Sequence, residues 1–175
     1  MAVAGRRLAS VAEITVVRAG VERLDELVGF WKLLHRHQSS VAPAVPGLDV
    51  LSESDSAVIV GKMYREWLSS PDSFAFFAEE DGRLVGYVVG FYDEPHFIWS
   101  TGRLGHIDSF NVLPELRGRG VGRLLMEPAC AEMRQAGATT VALEMVANND
   151  VARRFYEREG FTTTFVQMHR RLAPD

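Results

Sequence analysis

Residues 112–123 read Val112-Leu113-Pro114-Glu115-Leu116-Arg117-Gly118-Arg119-Gly120-Val121-Gly122-Arg123. An apolar, strand-like run ends at Pro114 and a helical apolar period opens after the glycines, so the stretch reads as a strand-to-helix turn. Glycines at such a turn let backbone N–H groups approach a ligand closely. The N-terminus of the following helix adds about half a positive charge aimed the same way. Arg117, Arg119 and Arg123 bring further charge, and phosphate is the guest that suits them. The dinucleotide fingerprint needs Gly-x-Gly-x-x-Gly, whereas the spacing here is Gly118-x-Gly120-x-Gly122. A P-loop needs Gly-Lys-Ser/Thr, and no lysine follows Lys62. Tight packing alone also uses glycine at such turns; the arginines weigh for an anion site.

Working outward, residues 14–18 are β-branched and predict a strand. Residues 21–37 place Leu24, Leu27, Val28, Trp31 and Leu34 at helical spacing. Residues 38–55 are rich in Ser, Pro, Gly and Asp and predict a long surface loop. Asp55 or Ser56 caps a second helix with Ile59, Met63 and Trp67 on one face and Pro71 beyond its end. Strands at 74–78 and 84–91 flank Asp81-Gly82, a strong hairpin signal. Residues 103–112 are a further strand. A helix over 117–136 turns Val121, Leu124, Leu125, Ala129 and Met133 inward, ends at Gly137, and should kink near Pro128. A strand at 140–146, a helix at 149–159 stopped by Gly160, and a final strand at 161–172 complete the chain. The order β-α-α-β-β-β-α-β-α-β predicts an α/β (mixed α+β) fold, a mixed sheet with helices on its faces.

The 175 residues suit one domain over 13–175, behind a flexible tail at 1–12. Cys130 is the single cysteine, which excludes a disulfide scaffold and a four-cysteine zinc site. His35 and His37 have no suitably spaced ligand partner, so no metal is expected. No apolar run approaches the roughly 18 residues of a membrane span, and no signal-peptide core follows Arg6 and Arg7. A soluble, cytoplasmic protein without a membrane partner is expected. The net charge of −4, from 19 basic and 23 acidic residues, argues against nucleic acid.

Arg117-x-x-Gly120-x-Gly122 resembles the Arg/Gln-x-x-Gly-x-Gly/Ala signature of the GNAT superfamily of N-acetyltransferases. His106-Ile107-Asp108-Ser109-Phe110-Asn111-Val112 resembles that family's fourth strand. Asn149-x-x-Ala152-x-x-x-Tyr156-x-x-x-Gly160-Phe161 is similar to its second cofactor motif. The resemblance spans roughly residues 14–172 and implies a central sheet of about six to seven strands. It also implies acetyl-coenzyme A as co-substrate and a primary amine as acceptor. Backbone amides over Arg117, Gly118, Arg119, Gly120, Val121, Gly122 and Arg123 would hold the pyrophosphate. Phe110 and Val112 would pair with the pantetheine arm, and Asn149, Ala152 and Tyr156 would complete the cofactor site. Homodimers are common among similar proteins.

Amine acylation needs a base, because an alkylammonium has a pKa near ~10, and a donor for a leaving thiolate of pKa about 8.5. The resemblance implies Tyr156 as general acid and Asp108 or His106 as base, with direct attack on the thioester. Cys130 lies in a helix interior and makes a poor nucleophile. Each residue also has an ordinary role: helix capping for Asn149, packing for Tyr156, loop anchoring or acceptor binding for Asp108. The acceptor pocket is expected from the first helix, the long loop and the hairpin end. Asp49, Glu53 and Asp55 are cation-attracting there or simply solvated. Trp31, Trp67, Phe91, Tyr92, Phe97 and Trp99 are core or pocket aromatics. The alternative reading is a non-catalytic acyl-coenzyme-A-binding regulatory module, with another nucleotide-binding fold behind it.

Overall fold

Five strands form one sheet whose spatial order is their chain order: β1 (Ile14–Ala19), β2 (Ser73–Glu80), β3 (Arg83–Asp93), β4 (Arg103–Val112) and β5 (Ala138–Leu143). The computed structural model describes residues 14–45, 49–93 and 102–172, so the expectations for the N-terminal tail and for Phe97 and Trp99 lie outside the described residues. The first four strands are antiparallel; β5 joins β4 in parallel. The β2–β3 turn places Asp81 and Gly82 at φ 51° and 74°, the double positive φ that a two-residue hairpin turn of matching twist requires.

Among the described residues four α-helices accompany the sheet: α1 (Leu24–Val41), α2 (Glu53–Leu68), α3 (Val121–Gln135) and α4 (Asp150–Arg158). Neighbouring residues of β3 show how they divide. A Cβ on Gly86 would lie 3.1 Å from Leu125 of α3, whereas the Tyr87 ring meets Phe30 of α1 edge-on at 5.7 Å. Successive strand residues face opposite sides, so α1 and α3 cover opposite faces. Residues 84–90 are accordingly all buried. At roughly 1.5–3 kcal/mol for each large apolar side chain taken from water, this central strand and the helices on it supply the main driving force.

Several boundaries differ from expectation, each for a local reason. Helix α1 runs on to Val41, leaving a connection of residues 42–52. Ser52, rather than Asp55 or Ser56, caps α2, its Oγ accepting from the Asp55 N–H at 3.1 Å. Ile59 is exposed, and the inward position of α2 is Tyr64, which is fully buried. Helix α3 starts at Val121 rather than Arg117, because Gly118 and Gly120 hold φ at 76° and 89° and keep residues 117–120 in the turn. It continues unbroken through Pro128, with Met126 buried and Leu124 only half-buried. Gly137, at φ 88°, follows its end as expected. Strand β5 stops at Leu143, short of the expected 146.

The largest correction is at the end of the chain. Residues 161–172 form no strand, so the sheet has five strands among the described residues, not six or seven. Strand propensity is realised only against a ladder partner, and among the described residues no strand pairs with this segment.

Candidate active site

β4 and β5 pair from Arg103↔Ala138 to Ile107↔Leu143, with one register shift after Arg103, and pair no further. Beyond that point β4 continues to Val112, bonded only to β3, while residues 144–146 lead away. The strands therefore splay, and the splay leaves one backbone edge of residues 108–112 facing a cleft. Ile107, Asp108, Ser109 and Phe110 form one wall, with Glu144, Met145 and Val146 opposite. Leu34 and Gln38 of α1 and Asn149, Ala152 and Tyr156 close the ends.

A β-bulge shapes the first wall. The β3–β4 register passes from Val89↔Ser109 to Gly90↔Ile107, so Asp108 is the extra residue. Unbroken alternation would turn Ser109 away from the α1 side. Instead its Oγ lies 2.6 Å from the hydroxyl of Tyr87, on that side. Asp108 also leans there: Tyr64 of α2 donates its hydroxyl to Asp108 Oδ2 at 2.8 Å. A row of rings links the same helix to His106, through Tyr64–Trp67 at 5.9 Å, Trp67–Phe91 at 4.7 Å and Phe91–His106 at 4.8 Å. His106 and Asp108 thus share a side, as the two-residue spacing predicts. His106 Nδ1 is buried without a hydrogen-bond partner.

Asp108 opens to the cleft on one side, yet the protein packed around its base desolvates the carboxyl and raises its pKa above the ordinary carboxylate value. The Tyr64 hydrogen bond and nearby His106 pull it down, and Glu144 pushes it up. Burial likewise pushes Tyr156 up to about 12, so it is a protonated phenol at neutral pH. Its ring packs among Phe110, Phe155 and Phe161, so the packing role holds whatever else the hydroxyl does. Asn149 caps α4, its Oδ1 accepting from the Ala152 N–H at 3.2 Å, and lines the cleft as well. Phe110 lies on Phe155, rings stacked at 5.4 Å, and a Cβ on Gly122 would come within 3.0 Å of Phe155. Glycine there allows α3 to meet this aromatic pair.

Gly120 offers no side chain to cap the N-terminus of α3, so the N–H groups ahead of Leu124, which donates to the Gly120 carbonyl at 3.1 Å, have no intrahelical acceptor. The arginines are not all presented alike. Arg117 folds back onto the end of β4, donating Nε to the Val112 carbonyl at 3.1 Å and Nη2 to Asn111 Oδ1 at 3.3 Å. Arg123 faces Glu159 at 3.4 Å. Val112 and Val121 are buried, leaving them only backbone groups to offer a ligand.

Other candidates fall elsewhere. Glu53 pairs with Arg36 and Asp55 accepts from Ser52 Oγ, so two of the loop acids are engaged. His35 packs on Trp31. Burial raises the pKa of the half-buried Cys130, the wrong direction for a nucleophile. Among the described residues, no group of three or more His, Cys, Asp or Glu is placed to hold a metal. Nor is any helix there long and apolar enough to cross a membrane. Tyr64 and Glu144 were missed in the sequence. Tyr64 carries only the signature of a core aromatic, and its partner lies 44 residues away.

Residues 42–161 match the acetyltransferase (GNAT) family. A Methanocaldococcus jannaschii relative described as an uncharacterized N-acetyltransferase is 38% identical over 96 residues, 54% of this chain and 56% of the relative. N-alpha-acetyltransferase 30 of Schizosaccharomyces pombe is 30% identical over 99 residues, 57% of this chain and 64% of its own length. The chain thus spans between half and two-thirds of these relatives. Among solved structures, AAC(6')-Iy in complex with a bisubstrate analog, CoA-S-monomethyl-acetylneamine, superposes with a TM-score of 0.68. That match has 18% identity and covers 92% of this chain and 99% of the other. With the splayed β4–β5 pair and the glycine turn before α3 in place, the chain belongs to the acetyltransferase (GNAT) family.

Proposed function

We propose that this protein is an acetyl-coenzyme-A-dependent N-acetyltransferase that moves an acetyl group to a primary amine. The observation that carries the reading is the splay. It sets an unpaired β4 edge and a desolvated carboxylate along one cleft, and the uncapped N-terminus of α3 lies behind the Phe110–Phe155 pair that Gly122 approaches. The first-turn amides of α3 and the turn over Arg117–Arg123 hold the pyrophosphate, and the free backbone edge near Phe110 and Val112 pairs with the pantetheine amides. Asn149, Ala152 and Tyr156 close over the thioester end. The relation to an N-alpha-acetyltransferase, and the coenzyme A adduct bound to the structural neighbour, support the same donor and acceptor classes.

In this reading Asp108 and Glu144 attract the acceptor as a cation across the cleft. Asp108, directly or through a water, takes a proton from the ammonium, and the free amine then attacks the thioester carbon; the second N–H proton leaves as the amide forms and ends on the departing sulphur, and His106 is the other candidate base. The C–S bond then breaks, and charge develops on sulphur. Complete transfer of the Tyr156 proton to a thiolate of ordinary pKa is uphill, since burial holds the phenol near 12. Donation of a hydrogen bond as that charge forms is the role its pKa suits best. Reaction without an acyl-enzyme is consistent with the raised pKa of Cys130. A cytoplasmic setting suits a chain with one free thiol.

Calorimetric titration separates this donor from other phosphate ligands. Acetyl-coenzyme A should bind and free ATP or NAD should fail to displace it. Binding of either nucleotide in its place would contradict the assignment.

A further inference from the structure

We propose that Tyr87 and Ser109 are positioning residues: with Tyr64 they form a one-way chain of hydroxyls that keeps Asp108 Oδ2 a hydrogen-bond acceptor and reserves Oδ1 for the proton of the acceptor amine. The proposal rests on the reading of Asp108 as base and deepens it from a residue to an atom.

The bulge at Asp108 creates the chain. It turns Asp108 and Ser109, consecutive residues of β4, to the same side of the sheet. Tyr64 of α2 donates to Asp108 Oδ2 at 2.8 Å. The Ser109 hydroxyl donates in turn to the Tyr64 oxygen and lies 2.6 Å from the hydroxyl of Tyr87 on β3. Tyr64 and Tyr87 are wholly buried and Ser109 is 4% exposed, so the chain is closed off from bulk water.

Counting protons fixes its direction. Three hydroxyls carry three protons, and three links join them to the carboxylate. An ionised Asp108 can only accept. The protons therefore run from Tyr87 to Ser109, from Ser109 to Tyr64, and from Tyr64 to Asp108. Reversal would have a protonated Oδ2 donate to Tyr64 and would leave the Tyr87 O–H buried without an acceptor, since Ser109 is its partner among the described residues. Oδ2 thus stays an acceptor in both states of the carboxyl. The amine proton goes to Oδ1, on the cleft side, and leaves the same way; the chain itself carries no proton.

The titratable groups around Asp108 are Tyr64 of α2, Tyr87 of β3, His106 of β4, Glu144 beyond β5 and Tyr156 of α4, while α1 contributes the uncharged Leu34 and Gln38.

The test follows the Asp108 carboxyl carbon by NMR across pH in the full chain, its signal identified by loss in Asp108→Asn. Tyr64→Phe removes the last link and should raise the midpoint by about one to two pH units. Tyr87→Phe combined with Ser109→Ala removes both upstream hydroxyls and orphans neither. Each hydrogen bond in a chain strengthens the next, so this double variant should raise the midpoint by a smaller step. Tyr87→Phe alone, the gentler change, should move it in the same direction. Added to Tyr64→Phe, the double change should give no further shift. His106 and Glu144 are present in every variant, so their fields cancel in the comparison. No shift with Tyr64 present, or an equal shift with Tyr64 removed, would overturn the chain. A midpoint that moves as stated, while the acid limb of kcat/KM for coenzyme A release stays fixed, would uphold the chain and remove Asp108 as the base.

Discussion

Asp108 occupies the extra position of a bulge, with its carboxylate against the Tyr64 hydroxyl, and two predictions follow from that contact. Its folded-state pKa is raised by desolvation, so folding favours the protonated form. The resulting cost to stability is absent below the unfolded pKa of about 3.9. It grows as pH rises and is complete above the folded value. Asp108→Asn removes that charge while keeping an acceptor for Tyr64. We expect its melting temperature at pH 7 to equal or exceed that of the wild type. Its kcat/KM should fall by roughly 10²–10⁴. A clear drop in melting temperature would show that the charge stabilises the fold instead. Tyr64→Phe deletes the hydrogen bond that holds the Asp108 pKa down, so the acid limb of the kcat/KM profile should move to higher pH. A purely structural role would lower activity without moving the limb. Asp108 and Tyr156 were legible as candidates because each sits inside a local motif. Tyr64 was not, since its role exists only once α2 is laid across β4.

At the level of elements, the glycine turn and the two strands beside it do the positioning. The hairpin and β4 were readable to within a residue or two because Asp81-Gly82 and Pro114 are strong local stops. The end of β5 was not. Residues 144–146 are as apolar as a strand needs apart from Glu144, and only the splay from β4 ends the pairing. The final strand was misplaced for a similar reason, since composition records propensity but not whether a partner edge is within reach. Gly120 tests the turn. At φ 89°, an Ala side chain costs about 1–2 kcal/mol, although no neighbour obstructs the space a Cβ would fill. Gly120→Ala should therefore lower the melting temperature modestly and weaken acetyl-coenzyme A more than it weakens the fold. Unchanged affinity, measured by calorimetry, would remove the α3 N-terminus from the cofactor site.

Over the whole molecule, the net charge of −4 proves a poor guide to the local fields. Arg117 is folded onto β4 and Arg123 faces Glu159, so the turn offers mainly backbone amides to an anion. Across the cleft, Asp108 and Glu144 supply negative charge where a cationic acceptor would sit. The division of the chain follows the same line. Residues from β4 onward carry the motifs that mark the family, while α1 and α2 bring in Leu34, Gln38 and Tyr64, which no motif announces. In the proposed reaction the acceptor side is therefore the part that tertiary packing alone assembles. The most direct test is release of free coenzyme A from acetyl-coenzyme A across a library of primary amines and peptides, comparing wild type with Asp108→Asn and Tyr156→Phe. The account predicts saturable, amine-dependent release by the wild type and a large loss of turnover in both variants. Tight acetyl-coenzyme A binding with no release on any amine, or full turnover in both variants, would contradict it.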